Sequence, residues 1–447
     1  MTKKISANDA WEKLFDKYNI QEEINKKGFF NISASQIKEF KEPRLMAKWD
    51  SSESLPSILK HNKINILPTS RGSYVMGKFN LYEDIPDWVD NVKEMQKVYV
   101  PEFESVDIKN ITSESNAINV LLISSILENF LEEGENYTTF NGRMGTGVFD
   151  FSVDRKSDSP LKINVNCAQC EIDAGLENDR SVIIIEAKNV VHPDFHIRQL
   201  YYPYRLWQTR VQKPIRLIFS IYTNQIYRLL EYRFTNPNNY SSIELVREKY
   251  YTLQDINITN EELLKVWRST KVKTYDNQDK VDVPFIQAND FERVISLIEN
   301  LQNNDLTLEQ IADLMQFDIR QSGYYFNAGK YLGLFEKYNA EDYDDDTAKY
   351  YKAKKVRLTK QGKKTAEKNY KPRQLELVKL MLEHKIFHEL FWDTYTTGVL
   401  PSLHDIQNLM RKYNVCNEGQ VSRRSGTVYS WLKWIFKLSE IEEVEEV

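Results

Sequence analysis

The sequence predicts a multidomain α+β protein, and three patterns carry that prediction. Near the start, amphipathic helical segments surround two short extended segments, which is typical of a small α/β unit. In the middle, one helix is followed by a run of strands, a second helix and further strands, as in an α+β sandwich. From about residue 285 the pattern is mostly helical. A chain of 447 residues is long enough for two to four such domains.

The composition is that of a folded globular protein, with 41% hydrophobic and 28% charged residues. The apolar stretches are too short to span a bilayer and the N-terminal segment lacks the apolar core of a secretion signal, so we expect a cytoplasmic protein with no membrane partner. Cys167, Cys170 and Cys416 are too few for a disulfide framework, and the CxxC pair lacks the second pair that a zinc site requires. The net charge of −5 decides little, because the acidic residues concentrate in two runs.

The first predicted domain, residues 1–105, is a small α/β unit. Residues 8–28 have helical periodicity, and Ser33 is suited to cap a short helix that ends before Pro43. Two strands follow, "INILP" and "SYVMGKFNLY", which the turn-forming "TSRG" connects.

The second predicted domain, residues 106–268, carries the main sheet. It begins with a helix over 114–134 and contains a second helix near 194–209. A polar linker over 269–284 follows it. The strands of this domain are predicted near 137–141, 146–154, 161–166, 169–174, 181–187, 214–221 and 225–233.

The C-terminal part divides into residues 285–370 and 371–447, each with one helix-turn-helix pattern. "TLEQIADLMQFDIRQSGYYFNAGKYLGLF" and "SLHDIQNLMRKYNVCNEGQVSRRSGTVYSWLKWI" both open with a Thr or Ser cap, a short helix, a polar break and a longer helix. A hairpin over 335–358 follows the first pair and is predicted to be a wing.

The chemistry-bearing segment is "CEIDAGLENDRSVIIIEAKN". Asp173 precedes Glu186 by thirteen residues, and Lys188 lies two residues beyond Glu186. The turn formers between them predict a hairpin, and strand alternation places Glu186 and Lys188 on one face. The apolar "VIII" forms a buried stem below this charged tip. Burying two acids and a lysine together is costly unless a metal or an ionic network compensates.

A hard cation is the simplest compensation. The carboxylates of Asp173 and Glu186 and the Ala187 carbonyl are oxygen donors that suit Mg²⁺, for which Mn²⁺ can substitute. Such an ion lowers the pKa of a bound water, and Lys188 is placed to orient that water, to help deprotonate it or to stabilise developing charge. No nucleotide-binding motif is present, so we expect no nucleotide cofactor.

An Asp, a variable gap and Glu-x-Lys on a β-hairpin resemble the signature of the PD-(D/E)XK nuclease superfamily, here with Ile172 in place of its Pro. Together with the N-terminal section and the terminal "RR-x-x-TV", the chain resembles a group of bacterial type II restriction endonucleases. That resemblance implies a mixed-sheet nuclease core between the small N-terminal domain and the winged-helix-like C-terminal region. It also implies Mg²⁺-dependent, sequence-specific cleavage of double-stranded DNA and a cognate DNA methyltransferase as genetic partner.

Further residues are candidates for the same site. Asp150 on an earlier strand is an alternative to Asp173 as the metal-binding Asp. The accessory candidates are Glu128 or Glu132 on the preceding helix, Glu171 on the strand of Asp173, and Gln199 with Tyr202 or Tyr204 on the helix after the catalytic strand.

The second helix of each helix-turn-helix would read DNA in the major groove. For these residues a solvated surface is an equally good interpretation, and for the N-terminal cations it is the better one. The candidate DNA contacts are Arg320, Gln321, Tyr324, Asn327 and Lys330 in the first unit, Gln420, Ser422, Arg423 and Arg424 in the second, and Arg44, Lys48 and Arg71 near the N-terminus.

Two other functions stay open from the sequence. A methylation-dependent or repair nuclease would use the same core with different recognition, and a DNA-binding regulator would carry a degenerate nuclease fold without cleavage. One catalytic set per chain favours a homodimer for double-strand cleavage. Incubation of methylation-defined DNA with Mg²⁺ or EDTA separates the three functions.

Overall fold

The computed structural model describes residues 5–86, 96–98, 100, 103–106, 108, 111, 113–155, 159–253, 256–273, 285–344 and 349–439. From residue 274 onward the predicted linker lies outside these residues. In the described ranges, no helix combines the length and apolarity needed to cross a membrane.

The N-terminal unit (residues 5–77) packs its helices on a small antiparallel sheet with the strand order β1-β3-β2. The single helix predicted over 8–28 is two helices, because Asn19 adopts the left-handed conformation with φ 49° and separates them. The predicted cap at Ser33 is confirmed: its hydroxyl accepts from Gln36 N. The elements are α1 (Ala7–Tyr18), α2 (Ile20–Lys27), β1 (Phe30–Ser33), α3 (Ala34–Lys38), α4 (Arg44–Ala47), α5 (Ser57–Asn62), β2 (Asn65–Pro68) and β3 (Ser73–Gly77).

The central unit (residues 82–253) is built on a mixed sheet that has seven strands among the described residues, in the order β5-β14-β13-β12-β10-β9-β6. β10 runs parallel to β12 and antiparallel to β9. The strands are β4 (Tyr82–Asp84), β5 (Gln96–Lys97), β6 (Tyr137–Gly145), β7 (Val148–Val153), β8 (Leu161–Asn166), β9 (Gln169–Glu177), β10 (Val182–Lys188), β11 (Asp194–His196), β12 (Ile215–Thr223), β13 (Ile226–Phe234) and β14 (Ile243–Thr252), and the helices are α6 (Glu114–Ile123), α7 (Ile126–Leu131) and α8 (Arg198–Gln208).

Helices cover both faces of this sheet, which explains the apolar run in β10. Ile183 and Ile185 pack with α6 and α7, and Ile184 packs with α8 on the opposite face. A strand that is buried on both faces reads as a continuous hydrophobic segment and not as an alternating one. The predicted hairpin of β9 and β10 and the flanking helices are confirmed; the helix expected over 114–134 is broken at Ser124 between α6 and α7.

The C-terminal unit (described residues within 256–439) contains both predicted helix pairs, α11–α12 and α16–α17, and the hairpin β16–β17. One continuous apolar core runs through its two predicted halves; the predicted domain boundaries stay a prediction. The elements are α9 (Asn260–Ser269), α10 (Phe291–Asn300), β15 (Leu306–Thr307), α11 (Leu308–Met315), α12 (Ile319–Tyr331), β16 (Phe335–Asp344), β17 (Lys349–Leu358), α13 (Lys360–Ala366), α14 (Tyr370–Leu382), α15 (Lys385–Thr397), α16 (Leu403–Lys412) and α17 (Glu418–Lys437).

A buried polar junction joins the C-terminal unit to the main sheet. At the turn between β12 and β13, Thr223 Oγ1 and Ser296 Oγ lie 2.7 Å apart. The backbone N–H of Asn224 donates to Glu299 Oε2 at 3.0 Å. Arg373 Nη2 of α14 donates to Asn224 Oδ1 at 2.8 Å. Because buried hydrogen-bonded groups are costly to separate, these bonds fix α10 and α14 against the sheet.

Gly175 in β9 provides a test of the packing around the central hairpin. A Cβ at this position would lie 2.1 Å from Cε2 of Phe140, whose ring stacks on Trp207 with centroids 3.7 Å apart. We expect Gly175→Ala to lower the free energy of unfolding by about 1–3 kcal/mol, because the ring must leave its packed position. Urea unfolding measures the loss.

Gly426→Ala is the matched control, because a Cβ there meets no described heavy atom within 4 Å. Gly426 lies inside α17, where alanine is the better helix former, so this variant should be as stable as the wild type or slightly more stable. Equal stability of the two variants would contradict the packing of Phe140 against Gly175.

Candidate active site

Asp173 and Glu186 lie where two strands of the central sheet separate. The ladder between β9 and β10 ends at the pair Ala174 and Ile185. Asp173 is the residue before Ala174, and Glu186 is the residue after Ile185, so the two acids lie at the same end of the ladder. Beyond that point Asp173 Oδ2 accepts a hydrogen bond from the Ala187 backbone N–H at 2.9 Å. The hairpin therefore brings Asp173 to the end of β10 that carries Glu186 and Lys188, as the sequence predicted.

A bulge in β9 accounts for the position of Asp173. Phe140 of β6 pairs with Gly175, and Gly142 pairs with Ile172, so three residue steps of β9 oppose two of β6. The additional residue falls at Asp173–Ala174. It reverses the alternation of β9, so that Ile172 packs toward α8 while Ala174 packs toward α6 and α7. Bulges of this kind occur next to active sites, where they redirect a side chain.

Glu186 is held by two donors on the face of the sheet that α8 covers. Lys188 Nζ donates to Glu186 Oε1 at 2.6 Å, and the two side chains are only 13% and 9% exposed. Gln199, the second residue of α8, donates from Nε2 to the same oxygen. The predicted accessory role of Gln199 therefore has a defined contact. Because both bonds fall on Oε1, the second carboxylate oxygen is the one offered to a cation.

A third acid reaches this group from the N-terminal unit. Asp50 follows α4; its backbone carbonyl accepts from His196 N at 2.8 Å, and its carboxylate lies 4.0 Å from Arg198 Nη2. The neighbouring Ser51 hydroxyl donates to Asp194 Oδ1 at 2.7 Å, which fixes the loop to the central unit. Asp50 was not predicted from the sequence, because it reaches the site through a long-range contact that "KWDSS" does not reveal.

Glu114 is the second acid that the sequence analysis missed. It is the first residue of α6, directly after the cap Ser113, whose hydroxyl accepts from Asn116 N. Glu114 lies at the surface; partial desolvation by its neighbours raises its pKa, the charges of Asp173 and Asp50 raise it further, and Lys188 lowers it. These couplings place Glu114 in the same group of charges. An acid in the first turn of α6 was therefore the one to choose, and not Glu128 or Glu132 near the end of the predicted helix.

The charges of this group shift the pKa values of its two most buried members, Glu186 and Lys188. Burial raises the pKa of Glu186 to about 8, with Asp173 and Asp50 adding to the shift and Lys188 opposing it. Burial alone would lower the pKa of Lys188, but the carboxylates of Glu186, Glu114, Asp50 and Asp173 together raise it. Lys188 is therefore a charged hydrogen-bond donor, and Glu186 is the carboxylate that most needs an additional cation.

Unsatisfied polar atoms cluster around the same place. Among the described residues, Asp50 Oδ1, Gln199 Oε1, Arg198 Nε and both amide atoms of Asn189 are buried without a hydrogen-bond partner. Buried polar atoms without partners are rare in folded proteins and point to an absent ion, water or ligand. A bound ion, water or ligand would supply the hydrogen-bond partners that these buried atoms lack.

The donor set fits a hard divalent cation that keeps part of its water. No three His, Cys, Asp or Glu side chains of the described ranges form a metal cage by themselves. Asp173 and Glu186 supply two carboxylates. Since the N–H and C=O of one strand residue point to the same side, the Ala187 carbonyl faces Asp173 as its N–H does. Two carboxylates, a carbonyl and several waters are the ligands that Mg²⁺ takes in proteins.

Asp150 and Glu171 lie apart from this group and make other contacts. Asp150 belongs to the separate hairpin β7–β8, where its carboxylate accepts from Asn164 Nδ2 at 2.7 Å and pairs with Lys162 Nζ at 2.9 Å. Between the two Asp candidates, the structure places Asp173 beside Glu186. Glu171 forms an exposed ion pair with Arg143 at 3.3 Å.

Glu128 and Tyr202 also serve the fold. Glu128 accepts from Asn136 Nδ2 at 3.1 Å near the start of β6. Tyr202 is fully buried and its hydroxyl donates to the Pro68 carbonyl at 2.6 Å, so it packs the N-terminal unit against α8 and does not line a cleft. Its prediction as an accessory site residue is wrong for that reason.

The candidate DNA contacts of the first helix pair lie on α12. Arg320 is exposed at its N-terminal end, where its guanidinium pairs with Asp318 at 2.9 Å. Gln321, Tyr324, Asn327 and Lys330 follow on the partly exposed side of the helix.

The second helix pair divides its candidates between surface and core. Gln420, Ser422 and Arg423 are exposed on the first two turns of α17. Arg424 is buried, and its Nη1 donates to the Phe285 carbonyl at 2.6 Å, so the prediction that it contacts DNA is wrong. The next residue on a helix points about 100° away, which is why adjacent arginines have different roles. Arg423 Nη2 reaches Tyr324 Oη of α12 at 3.4 Å.

The three N-terminal cations are all at the surface. Arg44, Lys48 and Arg71 are exposed. Lys48 lies near Asp50 and Glu114, since its charge lowers the pKa of both.

Three family models match the chain in succession. Each is described as a domain of unknown function: DUF6996 over residues 8–76, DUF6997 over 77–252 and DUF7226 over 293–440. No curated protein and no solved structure matches the chain.

The raised pKa of Glu186 predicts a pH-dependent affinity for divalent cations. A cation must displace the proton that Glu186 holds below about pH 8, so affinity should increase as pH rises toward that value, by up to about tenfold per unit. Calorimetric titration of the protein alone with Mn²⁺ from pH 6 to 9 measures this slope. Glu186→Gln should remove it, whereas Glu171→Gln, an exposed acid on the neighbouring strand, should keep it. An affinity that is flat from pH 6 to 9 would contradict the assignment.

Proposed function

We propose that this protein is a Mg²⁺-dependent endonuclease that cuts double-stranded DNA at specific sequences, with a nuclease core of the PD-(D/E)XK type. The observation that carries the proposal is the grouping of Asp173, Glu186 and Lys188 where β9 and β10 separate, on a stem that is buried on both faces. Structural ion networks also shift pKa values; here the neighbouring Asp50 Oδ1 and Gln199 Oε1 are in addition buried without a hydrogen-bond partner.

Bound Mg²⁺ would activate a water molecule and neutralise charge on the scissile phosphate. Asp173, Glu186 and the Ala187 carbonyl would hold it. Lys188 keeps its proton and donates a hydrogen bond, so its role is to orient the attacking water and to stabilise negative charge on the phosphate oxygens, not to remove a proton. Gln199 fixes the carboxylate of Glu186 in one orientation.

Asp50 and Glu114 extend the proposed site on two sides. Both lower the electrostatic potential around Lys188, and both are coupled to Asp173 or Glu186. Acids beside a metal site attract a cation and hold its outer waters without binding it directly.

The C-terminal unit supplies the proposed DNA-reading surface. Helices α11 and α12 with the sheet β15-β17-β16 have the order of a winged helix, in which α12 would enter the major groove. The wing and the helix after it carry exposed cations that suit phosphate contacts and would make binding sensitive to salt: Lys352, Lys354, Arg357, Lys360, Lys363 and Lys364.

Cleavage of both strands requires two catalytic groups, and this chain supplies one. A homodimer on the DNA is therefore part of the proposal. The resemblance to restriction endonucleases further predicts a DNA methyltransferase encoded beside this protein, which would protect the same recognition sequence.

Lys188→Ala tests the catalytic role. We expect cleavage of plasmid DNA with Mg²⁺ to fall by about 100-fold or more, because the positioned charge beside the phosphate is lost. DNA affinity in a mobility-shift assay should change little. Lys162→Ala, an exposed lysine on β8, is the matched control and should cleave at the wild-type rate. Full activity of Lys188→Ala would reject the assignment.

Alanine variants of the neighbouring Arg423 and Arg424 test whether the exposed side of α17 binds DNA. Arg423→Ala should weaken DNA binding by about 1–3 kcal/mol, because it removes an exposed contact while the fold is retained. Arg424→Ala should instead lower the melting temperature, because the Phe285 carbonyl loses its buried donor. Both variants are measured by mobility shift and by thermal unfolding. If both variants lowered DNA affinity equally and had the same melting temperature, the assignment of a DNA contact to Arg423 and a structural role to Arg424 would be contradicted.

A further inference from the structure

Residues 49–53 of the N-terminal unit form a segment that is bonded to the central unit at successive positions. Tyr82 Oη, at the start of β4, donates to the Trp49 carbonyl at 3.0 Å. The next carbonyl, that of Asp50, accepts from the backbone N–H of His196 in β11 at 2.8 Å. The central unit therefore fixes the course of a segment that belongs to the N-terminal unit.

Asp194 binds the next two residues of this segment. Its Oδ1 accepts from Ser51 Oγ at 2.7 Å and from the backbone N–H of Ser52 at 2.8 Å, and its Oδ2 accepts from Ser52 Oγ. Asp194 is 5% exposed and Ser51 is fully buried. Hydrogen bonds to a carboxylate are stronger than those between neutral groups, and a buried donor that loses its acceptor destabilises the fold around it. Asp194 therefore anchors the part of the segment that directly follows Asp50.

The carboxylate of Asp50 has no comparable anchor of its own. Within the described residues, its Oδ1 is buried without a hydrogen-bond partner. Arg198 Nη2 lies 4.0 Å from this oxygen, which is an ion-pair contact but too long for a hydrogen bond. The position of the Asp50 carboxylate therefore depends on the backbone of residues 49–53 and on the groups that hold this backbone.

The Asp50 carboxylate lies beside the candidate metal ligands. Arg198 and Gln199 are the first two residues of α8. The first pairs with Asp50, and the second donates to Glu186 Oε1. Burial opposes the charged form of Asp50, but nearby cations, Lys188 first among them, lower its pKa. Asp50 is thus a charged carboxylate that is close enough to attract a cation held by Glu186.

We propose that Asp194 is a positioning residue of the cation site, because its bonds to Ser51 and Ser52 keep the Asp50 carboxylate beside Glu186. Groups that orient the surroundings of a metal commonly control its affinity without touching it. The inference rests on the proposed function, since the cation that Asp50 attracts is the divalent ion proposed there. It deepens that function by giving the N-terminal unit a part in binding the ion.

Calorimetric titration of the full chain with Mn²⁺, without DNA, tests this role. Asp194→Asn keeps the shape of the side chain but removes its charge and one acceptor oxygen, and it should raise the Kd for Mn²⁺ by about tenfold. Ser51→Ala removes one donor of the anchor and leaves every charge in place, so it should weaken binding in the same direction by a smaller factor. Asp150→Asn is the matched control: Asp150 also accepts a side-chain hydrogen bond but lies apart from the site, and the Kd should not change.

A double-mutant cycle with Asp50→Asn shows whether Asp194 acts through Asp50. Asp50→Asn alone should weaken Mn²⁺ binding. In that background Asp194→Asn and Ser51→Ala should change the Kd by less than about twofold, because the carboxylate that they position is already gone. A direct effect of the Asp194 charge on the ion would persist in the same background. Thermal unfolding of each variant shows that it is folded, and Ser52→Ala replaces Asp194→Asn in the cycle if the latter does not fold.

The outcomes separate this inference from the proposed function. Unchanged Mn²⁺ affinity in folded Asp194→Asn and Ser51→Ala, or an Asp194→Asn effect of the same size with and without Asp50, would overturn the positioning role and leave the nuclease intact. Mn²⁺ binding that follows the expected cycle in a protein that cleaves no DNA would support the positioning role and reject the nuclease. A folded wild-type protein that binds no Mn²⁺ would overturn both.

Discussion

The buried pair of Glu186 and Lys188 at the end of the β9–β10 ladder is the constraint on which the rest of the site depends. The partly buried Asp173 and Asp50 act on this pair through their charges, and the exposed Glu114 acts on Lys188. Burying such a group without compensation costs several kcal/mol per ion. The raised pKa of Glu186 is one partial answer, because a proton neutralises one acid. The divalent cation that we propose would neutralise more of this charge than a proton does.

Residues from all three units hold this charge group in place. The loop that carries Asp50 is fixed by Asp194, which accepts from Ser51 and Ser52. Arg293 of the C-terminal unit binds Glu53 of the same loop and the Val191 carbonyl just beyond β10. The acidic group is therefore not a property of the β-hairpin alone. Separating either flanking unit from the sheet would release one wall of the site.

The sequence revealed the local parts of the site and missed the parts that depend on tertiary contacts. The β9–β10 hairpin was predictable because its turn formers, its apolar stem and its Glu-x-Lys tip are adjacent in the chain. Asp50 was not, because it reaches the site from a loop far away in sequence through contacts with His196 and Asp194. Arg424 was misassigned for a different reason. Composition indicated a basic helix start, but only the rotation of α17 against the core decides which arginine is buried.

The position at a strand end reconciles two opposing requirements of such a site. Carboxylates inside the sheet would be inaccessible to a phosphate, and carboxylates on an open surface would bind a cation weakly because water screens them. Where β9 turns away from β10, the backbone N–H of Ala187 loses its strand partner and the side chain of Asp173 takes its place. The bulge at Asp173–Ala174 makes this substitution geometrically feasible without breaking the sheet. The acids are thus held at the point where the two strands separate, and not within the paired part of the sheet.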